Sequence, residues 1–306
     1  MRLGVLPLFL RRSLDSEPSF LPPEIRTRWK DRLRELSATS LVLFSEHQRL
    51  MMAFLAAGVE VLPVKGPTLS EKIYGSPLLR EFVDLDYIIC PSQLGPACEA
   101  LEQAGYEPEK YGPKTAAFRD AAAVMDHHTR EIRYIREVSG IDSVVELHWN
   151  VFPEGDPHSR PRQWTSDTYA LYLAMHGSRH LWQPLKHLCD FRDWIACQEP
   201  AFDWSAYREL ARRQKLCKVA AAPQQLIRAV SGETVGDLDP ALLRYVLAQA
   251  LPEADLWSFH RLRMDLLDTP AQRWKYFLRL LKPGDGRSWM GRWRHLASRV
   301  VERLSL

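Results

Sequence analysis

The sequence predicts an α+β fold in which a small mixed β-sheet with flanking helices is followed by an all-helical domain. Strand and helix patterns alternate along the first half of the chain, and strand patterns vanish after about Pro161. Strands interleaved with helices, followed by a block of helices, are typical of a sheet domain joined to a helical companion. We therefore expect two domains: residues 1–162, which include N-terminal helices, and residues 163–306, which end in a basic amphipathic tail.

The composition is that of an ordinary globular protein, and 306 residues are enough for one large core or two medium ones. The net charge of +3 is too small to indicate a nucleic-acid partner. The five cysteines are odd in number and form no CxxC pair, which favours a reduced, cytoplasmic setting. We expect no signal peptide, and no run approaches the roughly 18 apolar residues that a membrane span needs.

Periodicity and turn residues predict the elements of the first half. Gly58 marks a helix end, and Pro67 marks a helix start because a missing N–H is harmless there. Ser139-Gly140 predicts a hairpin turn between two strands. The predicted elements are helices at 23–38 and 40–58, a strand at 59–64, a short helix after Pro67, a strand at 83–90, a helix at 91–104, and strands at 131–138 and 143–150.

Apolar residues at helical spacing predict eight helices in the second half. Their bounds are 165–178, 183–197, 203–214, 216–231, 239–249, 252–266, 270–281 and 288–304. Prolines interrupt residues 1–22, which predicts an arm or a packing segment. No element is predicted over 106–130.

Two aspartates mark the strand predicted at 83–90. Successive side chains of a strand point to opposite faces, so Asp84 and Asp86 share one face. Two carboxylates side by side, near a glycine turn and a lysine, suit a divalent cation that also binds phosphates, either Mg²⁺ or Mn²⁺. The alternative interpretation is a solvated strand end.

The later strand, SVVELHWN, places Glu146 and His148 on one face and bulky apolar residues on the other. This alternation is also typical of a plain sheet with one solvated face. If the strand neighbours that of Asp84 and Asp86, however, Glu146 completes a cluster of three carboxylates able to hold one or two metal ions. His148 would then face the bound nucleotide.

The segment Lys65-Gly66-Pro67-Thr68 predicts a phosphate site. Gly66 lets the backbone approach a ligand, and the following helix directs free N–H groups at an anion. Lys65 adds a positive charge. Arg80 could add a bidentate donor, or it could simply pair with the nearby aspartates.

The motifs VKGPTLSEKIY, LLREFVDLDYII and VVELHW, together with a helix that ends in AGY and a histidine pair at 127–128, resemble the uncharacterised nucleotidyltransferase family. The resemblance covers roughly residues 40–200. It implies a minimal nucleotidyltransferase fold of the polymerase-β type, with a lysine-glycine turn where other branches use glycine-serine. It also implies the site residues: Asp84 and Asp86 as the metal pair, Glu146 as the third acid, and Lys65 and Gly66 as triphosphate contacts.

The implied activity is transfer of a nucleotidyl group from an NTP to an acceptor, with release of pyrophosphate. Some relatives belong to clusters that make ribosomal peptide products, which implies a peptide or natural-product acceptor. Two alternatives stay open at this point. The same fold could transfer a sugar from a nucleotide sugar, since that donor also carries a diphosphate, or it could be a non-catalytic module that binds a peptide or a partner protein.

Further histidines and the basic tail complete the predictions. His176 and His180 share a helix face and could form a zinc site with His148 or His187, although packing on the sheet domain or reaching the substrate cleft is favoured. The pair at 127–128 could line the active site. The tail could bind an anionic membrane surface, but capping of the helical domain is favoured.

Overall fold

A computed structural model describes residues 6–15, 22–109, 131–155, 164–183, 185–232 and 256–281. The predicted helices at 239–249 and 288–304, the histidine pair at 127–128 and most of the basic tail lie outside these ranges. No described helix is long and apolar enough to cross a bilayer. The predicted domain boundary at 162 also falls outside them and stays a prediction.

The described elements follow the predicted order closely. The strands are β1 (Val61–Val64), β2 (Asp84–Ile89), β3 (Glu107–Pro108), β4 (Glu131–Val138) and β5 (Ile141–His148). The helices are α1 (Leu6–Asp15), α2 (Pro23–Ala56), α3 (Gly66–Tyr74), α4 (Leu94–Gln103), α5 (Ser166–Arg179), α6 (Lys186–Gln198), α7 (Trp204–Arg213), α8 (Cys217–Val230), α9 (Leu256–Asp265) and α10 (Pro270–Leu281). A short 3₁₀ turn, Pro91–Gln93, leads into α4.

The prediction of two helices at 23–38 and 40–58 is wrong, because α2 is one continuous helix of 34 residues. The intervening segment, Ser37-Ala38-Thr39, contains neither glycine nor proline, so nothing there breaks the helix. The predicted C-terminal end of this helix is confirmed, since Gly58 has φ +66° just beyond α2. The sequence also missed α1 and the two-residue strand β3.

The five strands form one mixed sheet in the order β1-β2-β5-β4-β3. Strands β2 and β5 are parallel neighbours, and the other pairs are antiparallel. Strands β4 and β5 form the predicted hairpin, in which Ser139 and Gly140 have φ values of +52° and +75°. Two central residues with positive φ are typical of the type I′ turn that matches strand twist. The predicted small mixed sheet is therefore confirmed.

One face of the sheet is an apolar core against α2 and α4. Leu85, Tyr87, Val145 and Leu147 alternate along β2 and β5 and are at most 1% exposed. They join one buried cluster with side chains of the two helices, among them Leu50 of α2. Burial of this face fixes strand register, because a slip of one residue would put the polar set into this core.

The opposite face is covered by helices of the second half. Val64 and Ile88 belong to a second buried cluster with α5, α6, α7 and α8. The helical half thus packs on the side of the sheet that also carries the acidic residues. This packing explains why several charged side chains of that face are buried.

A buried ionic network ties α2 to the far edge of the sheet. Glu46 is 6% exposed and accepts hydrogen bonds from Arg49 at 2.6 Å and from the Tyr106 hydroxyl at 3.0 Å. Arg136 of β4 lies 3.3 Å from the same carboxylate. Burial alone would raise the pKa of Glu46, but these donors hold it below its ordinary value. The ionised Glu46 therefore contributes its full stabilisation of the fold above the ordinary carboxyl pKa. That contribution is lost as the pH falls through the lowered pKa of Glu46.

We expect Glu46→Gln to lower the free energy of unfolding by about 1.5–3 kcal/mol at neutral pH, because the amide loses a charge-assisted acceptor. The difference from the wild type should shrink below about pH 4, where the wild-type carboxylate also protonates. Urea unfolding as a function of pH measures both effects. Glu35→Gln is the matched control, since Glu35 lies on the exposed side of the same helix. A difference that does not vary with pH would contradict the electrostatic account.

Candidate active site

The acidic residues meet where β2 and β5 run side by side. Asp86 lies directly opposite Glu146 in the parallel register, and Ile88 lies opposite His148. Side chains opposite each other on neighbouring strands share a face. The condition on which the three-acid hypothesis depended, that the two strands are neighbours, is therefore met.

Asp86 is the most buried of the three acids, with 2% exposure. Its Oδ1 lies 2.7 Å from the ammonium of Lys65 and 3.0 Å from Nε2 of His148. Its Oδ2 is buried and has no hydrogen-bond partner among the described residues. One carboxylate oxygen is thus held in place, and the other is left with an unused lone pair at the centre of the site.

Electrostatics keep Asp86 ionised. Burial alone would raise its pKa, but the Lys65 ammonium and the His148 hydrogen bond hold the pKa well below its usual range. Burial likewise opposes the charge of Lys65, yet Asp86 beside it keeps the lysine pKa above its ordinary value. The pair is therefore charged at neutral pH, within a protein interior where a lone charge would be costly.

Asp84 has a different environment at the start of β2. Its side chain is half-buried, and burial together with the charge of Asp86 raises its pKa above the ordinary value. Among the described residues, no side chain forms an ion pair with Asp84, in contrast to Asp86. Such repulsion between neighbouring carboxylates is typical of a site that is completed by a cation.

Glu146 and His148 complete the group. Potential ligand atoms of Asp86, Glu146 and His148 lie within 4.8 Å of one another, and Asp84 is not part of that set. Glu146 also pairs with Arg133 of β4 at 2.9 Å. Burial would lower the pKa of His148, but hydrogen bonds to the two carboxylates raise it. Asp84 would have to move closer to share an ion with the other two acids.

The Lys65-Gly66 turn stands at the start of α3, beside these acids. Lys65 has φ +59° and ψ −146°, a strained conformation for a residue with a side chain, and Gly66 has φ +47°. The Lys65 N–H donates to the Tyr169 hydroxyl at 2.9 Å, which helps hold the turn. A Cβ at position 66 would lie 3.6 Å from the backbone oxygen of Asp84. The turn therefore brings the free N–H groups at the start of α3 close to the aspartate strand.

Arg80 forms an ion pair with Asp190, a residue that the sequence analysis did not single out. Its guanidinium donates to both oxygens of Asp190 on α6, at 2.8 and 2.9 Å, and both side chains are buried. The arginine thus links the segment before β2 to the helical half. Its predicted contact with phosphate stays a prediction, and so does the assignment of each site residue to a role.

The helical half contributes residues that the sequence analysis overlooked. Tyr169 and Tyr172 of α5 are buried beside Lys65, and the charge of Lys186 of α6 acts on Asp84. No local motif marks them, because they are ordinary members of amphipathic helices. Only the packing of these helices on the sheet brings them to the site.

A mixed sheet with carboxylates on adjacent strands, next to a tight turn that opens a helix, is typical of enzymes that transfer phosphate-linked groups. Within that class, the chain matches the family described as "Uncharacterised nucleotidyltransferase" over residues 1–230, and it belongs to this family. The match extends beyond the expected 40–200 at both ends. No curated protein and no solved structure shows a significant match to the chain. The lysine-glycine variation of the turn stays a prediction.

Proposed function

We propose that the protein is a Mg²⁺-dependent nucleotidyltransferase, which moves a nucleotidyl group from an NTP to an acceptor and releases pyrophosphate. Family membership supports nucleotidyl transfer in general. The observation that carries the proposal is the juxtaposition of Asp86 and Glu146 across parallel strands, with the Asp86 Oδ2 atom buried and unpartnered.

The donor set fits a hard divalent cation. Mg²⁺ takes oxygen ligands and commonly binds through one or two carboxylates and substrate phosphates. Asp86 and Glu146 would hold the ion, and Asp84 would join them after a side-chain movement. Mn²⁺ accepts the same oxygens. When bound, the cation neutralises charge on the donor phosphates and on the leaving pyrophosphate.

Lys65 has a double role in this proposal. Without nucleotide, its ammonium neutralises Asp86 at 2.7 Å. With nucleotide, the same ammonium would donate to a phosphate of the donor, and the backbone at Gly66 and the start of α3 would offer further N–H donors. The strained backbone at Lys65 keeps both groups directed at the same place.

The transfer step is a displacement at the α-phosphorus of the donor. A nucleophilic oxygen or nitrogen of the acceptor forms the new bond to phosphorus, and the bond from phosphorus to the bridging oxygen breaks. Pyrophosphate leaves with that electron pair, and the acceptor proton passes to a carboxylate or to water. Glu146 is the acid we assign to orienting the acceptor or holding a second ion, since its side chain keeps 16% exposure.

The acceptor class follows from the family resemblance and not from the geometry of the site. We propose a peptide or another small natural product, and we place acceptor recognition on the helical half. The residues of that half that lie beside the acids include Tyr169 and Tyr172 of α5, which are buried next to Lys65.

The proposal is tested by thermal unfolding of the purified protein with each NTP and with nucleotide sugars, in Mg²⁺ and in EDTA. A ligand that binds the folded state stabilises it by mass action, by about 2.7 kcal/mol at one hundred times its Kd, and so raises the melting temperature. We expect a shift with an NTP that is larger in Mg²⁺ than in EDTA, and we expect this Mg²⁺-dependent part to be lost in Glu146→Gln.

Glu137→Gln is the matched control, because Glu137 is an exposed glutamate of the neighbouring strand β4. It should retain the full shift. A shift with nucleotide sugars alone would favour sugar transfer instead. No shift with any nucleotide would contradict the proposal and leave a binding module as the better account.

A further inference from the structure

Three histidines converge beside the proposed nucleotide site. His176 and His180 lie one turn apart at the end of α5, and His187 lies in the first turn of α6. Their ring centroids are 4.9 to 5.2 Å apart, and one nitrogen of each lies within 4.8 Å of the others. The turn that brings them together has φ +48° at Leu181 and +54° at Trp182.

The cluster is connected to the acids through Lys65. The ammonium of Lys65 lies 3.5 Å from Nδ1 of His176 and 2.7 Å from Oδ1 of Asp86. An ammonium has no lone pair and can only donate, so Nδ1 of His176 is the acceptor in this contact. The neutral ring then carries its hydrogen on Nε2 and presents an N–H donor away from Lys65.

The surroundings of the three rings are positively charged. Burial lowers the pKa of all three, and the charges of Lys65, Lys186 and Arg179 lower it further, to about 2 for His187. Asp86 pairs with Lys65 at 2.7 Å, but among the described residues neither Lys186 nor Arg179 forms an ion pair. The rings are neutral at physiological pH, and positively charged side chains act on each of them.

Two of the cations form no ion pair with a carboxylate of the described residues. Among the described residues, neither Arg179 nor Lys186 has a carboxylate within ion-pair distance. The Lys186 ammonium has only a 3.4 Å contact with the backbone oxygen of Glu81. Burial and the charge of Arg80 lower the pKa of Lys186, and the charges of Asp190 and Asp84 oppose this shift only in part. In addition, Nδ1 of the buried His187 has no hydrogen-bond partner in the described part of the chain.

These contacts distinguish an anion from a metal ion as the ligand. A zinc ion would place two more positive charges beside Lys65, Lys186 and Arg179, and a metal bound through Nε2 of His176 would need that atom free of hydrogen. A polyphosphate has neither disadvantage, because its oxygens accept hydrogen bonds from N–H groups and its negative charge compensates the cations.

We infer that His176, His180, His187, Arg179 and Lys186, here called the α5–α6 cluster, bind the β- and γ-phosphates of the donor. The inference rests on the proposed function, and it adds the residues that bind the β- and γ-phosphates of its NTP donor. A nucleoside triphosphate ends in a free, highly charged phosphate that can enter the cluster. The diphosphate of a nucleotide sugar is capped by the sugar and lacks that phosphate. The α5–α6 cluster therefore selects an NTP over a nucleotide sugar.

The test is calorimetric binding of inorganic tripolyphosphate, in EDTA, to the wild type and to Lys186→Gln and Arg179→Gln. Both side chains are partly exposed, so the variants keep the core intact. We expect tripolyphosphate to bind the wild type and to bind each variant about tenfold or more weakly. The controls are Lys72→Gln and Arg208→Gln, which remove exposed cations elsewhere on α3 and α7. They should bind as the wild type does.

A competition experiment completes the test. An NTP should displace tripolyphosphate at least tenfold more effectively than a nucleotide sugar. Equal competition, unchanged affinity in both variants, or failure of the wild type to bind tripolyphosphate would each overturn the inference. So would stoichiometric Zn²⁺ binding that is lost in His187→Gln. Because these readouts need neither Mg²⁺ nor the acids of β2, a failure of nucleotidyl transfer would show separately from a failure of the α5–α6 cluster.

Discussion

Replacement of Asp84 by Asn should abolish nucleotidyl transfer without destabilising the fold. We expect transfer to fall by about 100-fold or more, because a metal ligand contributes several kcal/mol of charge stabilisation. The melting temperature should stay unchanged or rise. Burial and the charge of Asp86 raise the pKa of Asp84, so the ionised side chain costs stability in the folded state at neutral pH. Asparagine removes that cost.

The measurements are the melting temperature at neutral pH and the rate of pyrophosphate release with an NTP and Mg²⁺. Asp142→Asn is the matched control, since Asp142 is an exposed aspartate near the β4–β5 turn. It should alter neither quantity. If Asp84→Asn keeps wild-type transfer, Asp84 is not a metal ligand. If the variant instead loses several degrees of stability, the repulsion inferred between Asp84 and Asp86 is wrong.

The second large effect should come from the buried pair of Arg80 and Asp190. We expect Arg80→Met to lower the free energy of unfolding by about 3–5 kcal/mol, because Asp190 is left buried without a counter-charge. The pair is bidentate and joins the segment before β2 to α6. Urea or guanidinium unfolding measures the loss, provided that the transition stays cooperative.

The double variant Arg80→Met/Asp190→Leu separates the stability cost of the unpaired charge from the cost of changed side-chain packing. Because it leaves no unpaired charge, it should be more stable than Arg80→Met alone. Arg192→Gln provides the surface control, since Arg192 pairs with Asp193 at an exposed position of α6. Its cost should be below about 1 kcal/mol. A double variant as unstable as Arg80→Met would show that shape, not charge, dominates at this position.

Local sequence patterns predicted the helices and strands whose apolar residues recur at a regular spacing. Alternation along VVELHW placed Val145 and Leu147 in the core and Glu146 on the opposite face, as observed. The same rule placed Asp84 and Asp86 together. It did not predict that Asp86 would be buried and Asp84 only half-buried, because that difference depends on which helices cover each end of β2.

Helix ends and short strands that no regular spacing of apolar residues marks were harder to predict. The break expected between 23–38 and 40–58 was wrong, since the helix continues through a segment with no breaking residue. The short strand β3 has two residues and no alternation that could reveal it. Such an element forms only because β4 is available as a partner.

The sequence by itself determined the hairpin, the helical second half and the shared face of Asp84 and Asp86, because each follows from contacts between near neighbours in the chain. The parallel pairing of β2 with β5 joins residues far apart in the chain, such as Asp84 and Val144, and was decided by the tertiary structure. Only the tertiary structure decided which charges meet. Arg80 lies 110 residues from Asp190, and Lys65 lies 111 residues from His176. The docking of α5 and α6 on the sheet sets these distances, and the buried apolar surface that drives this docking has no local signature.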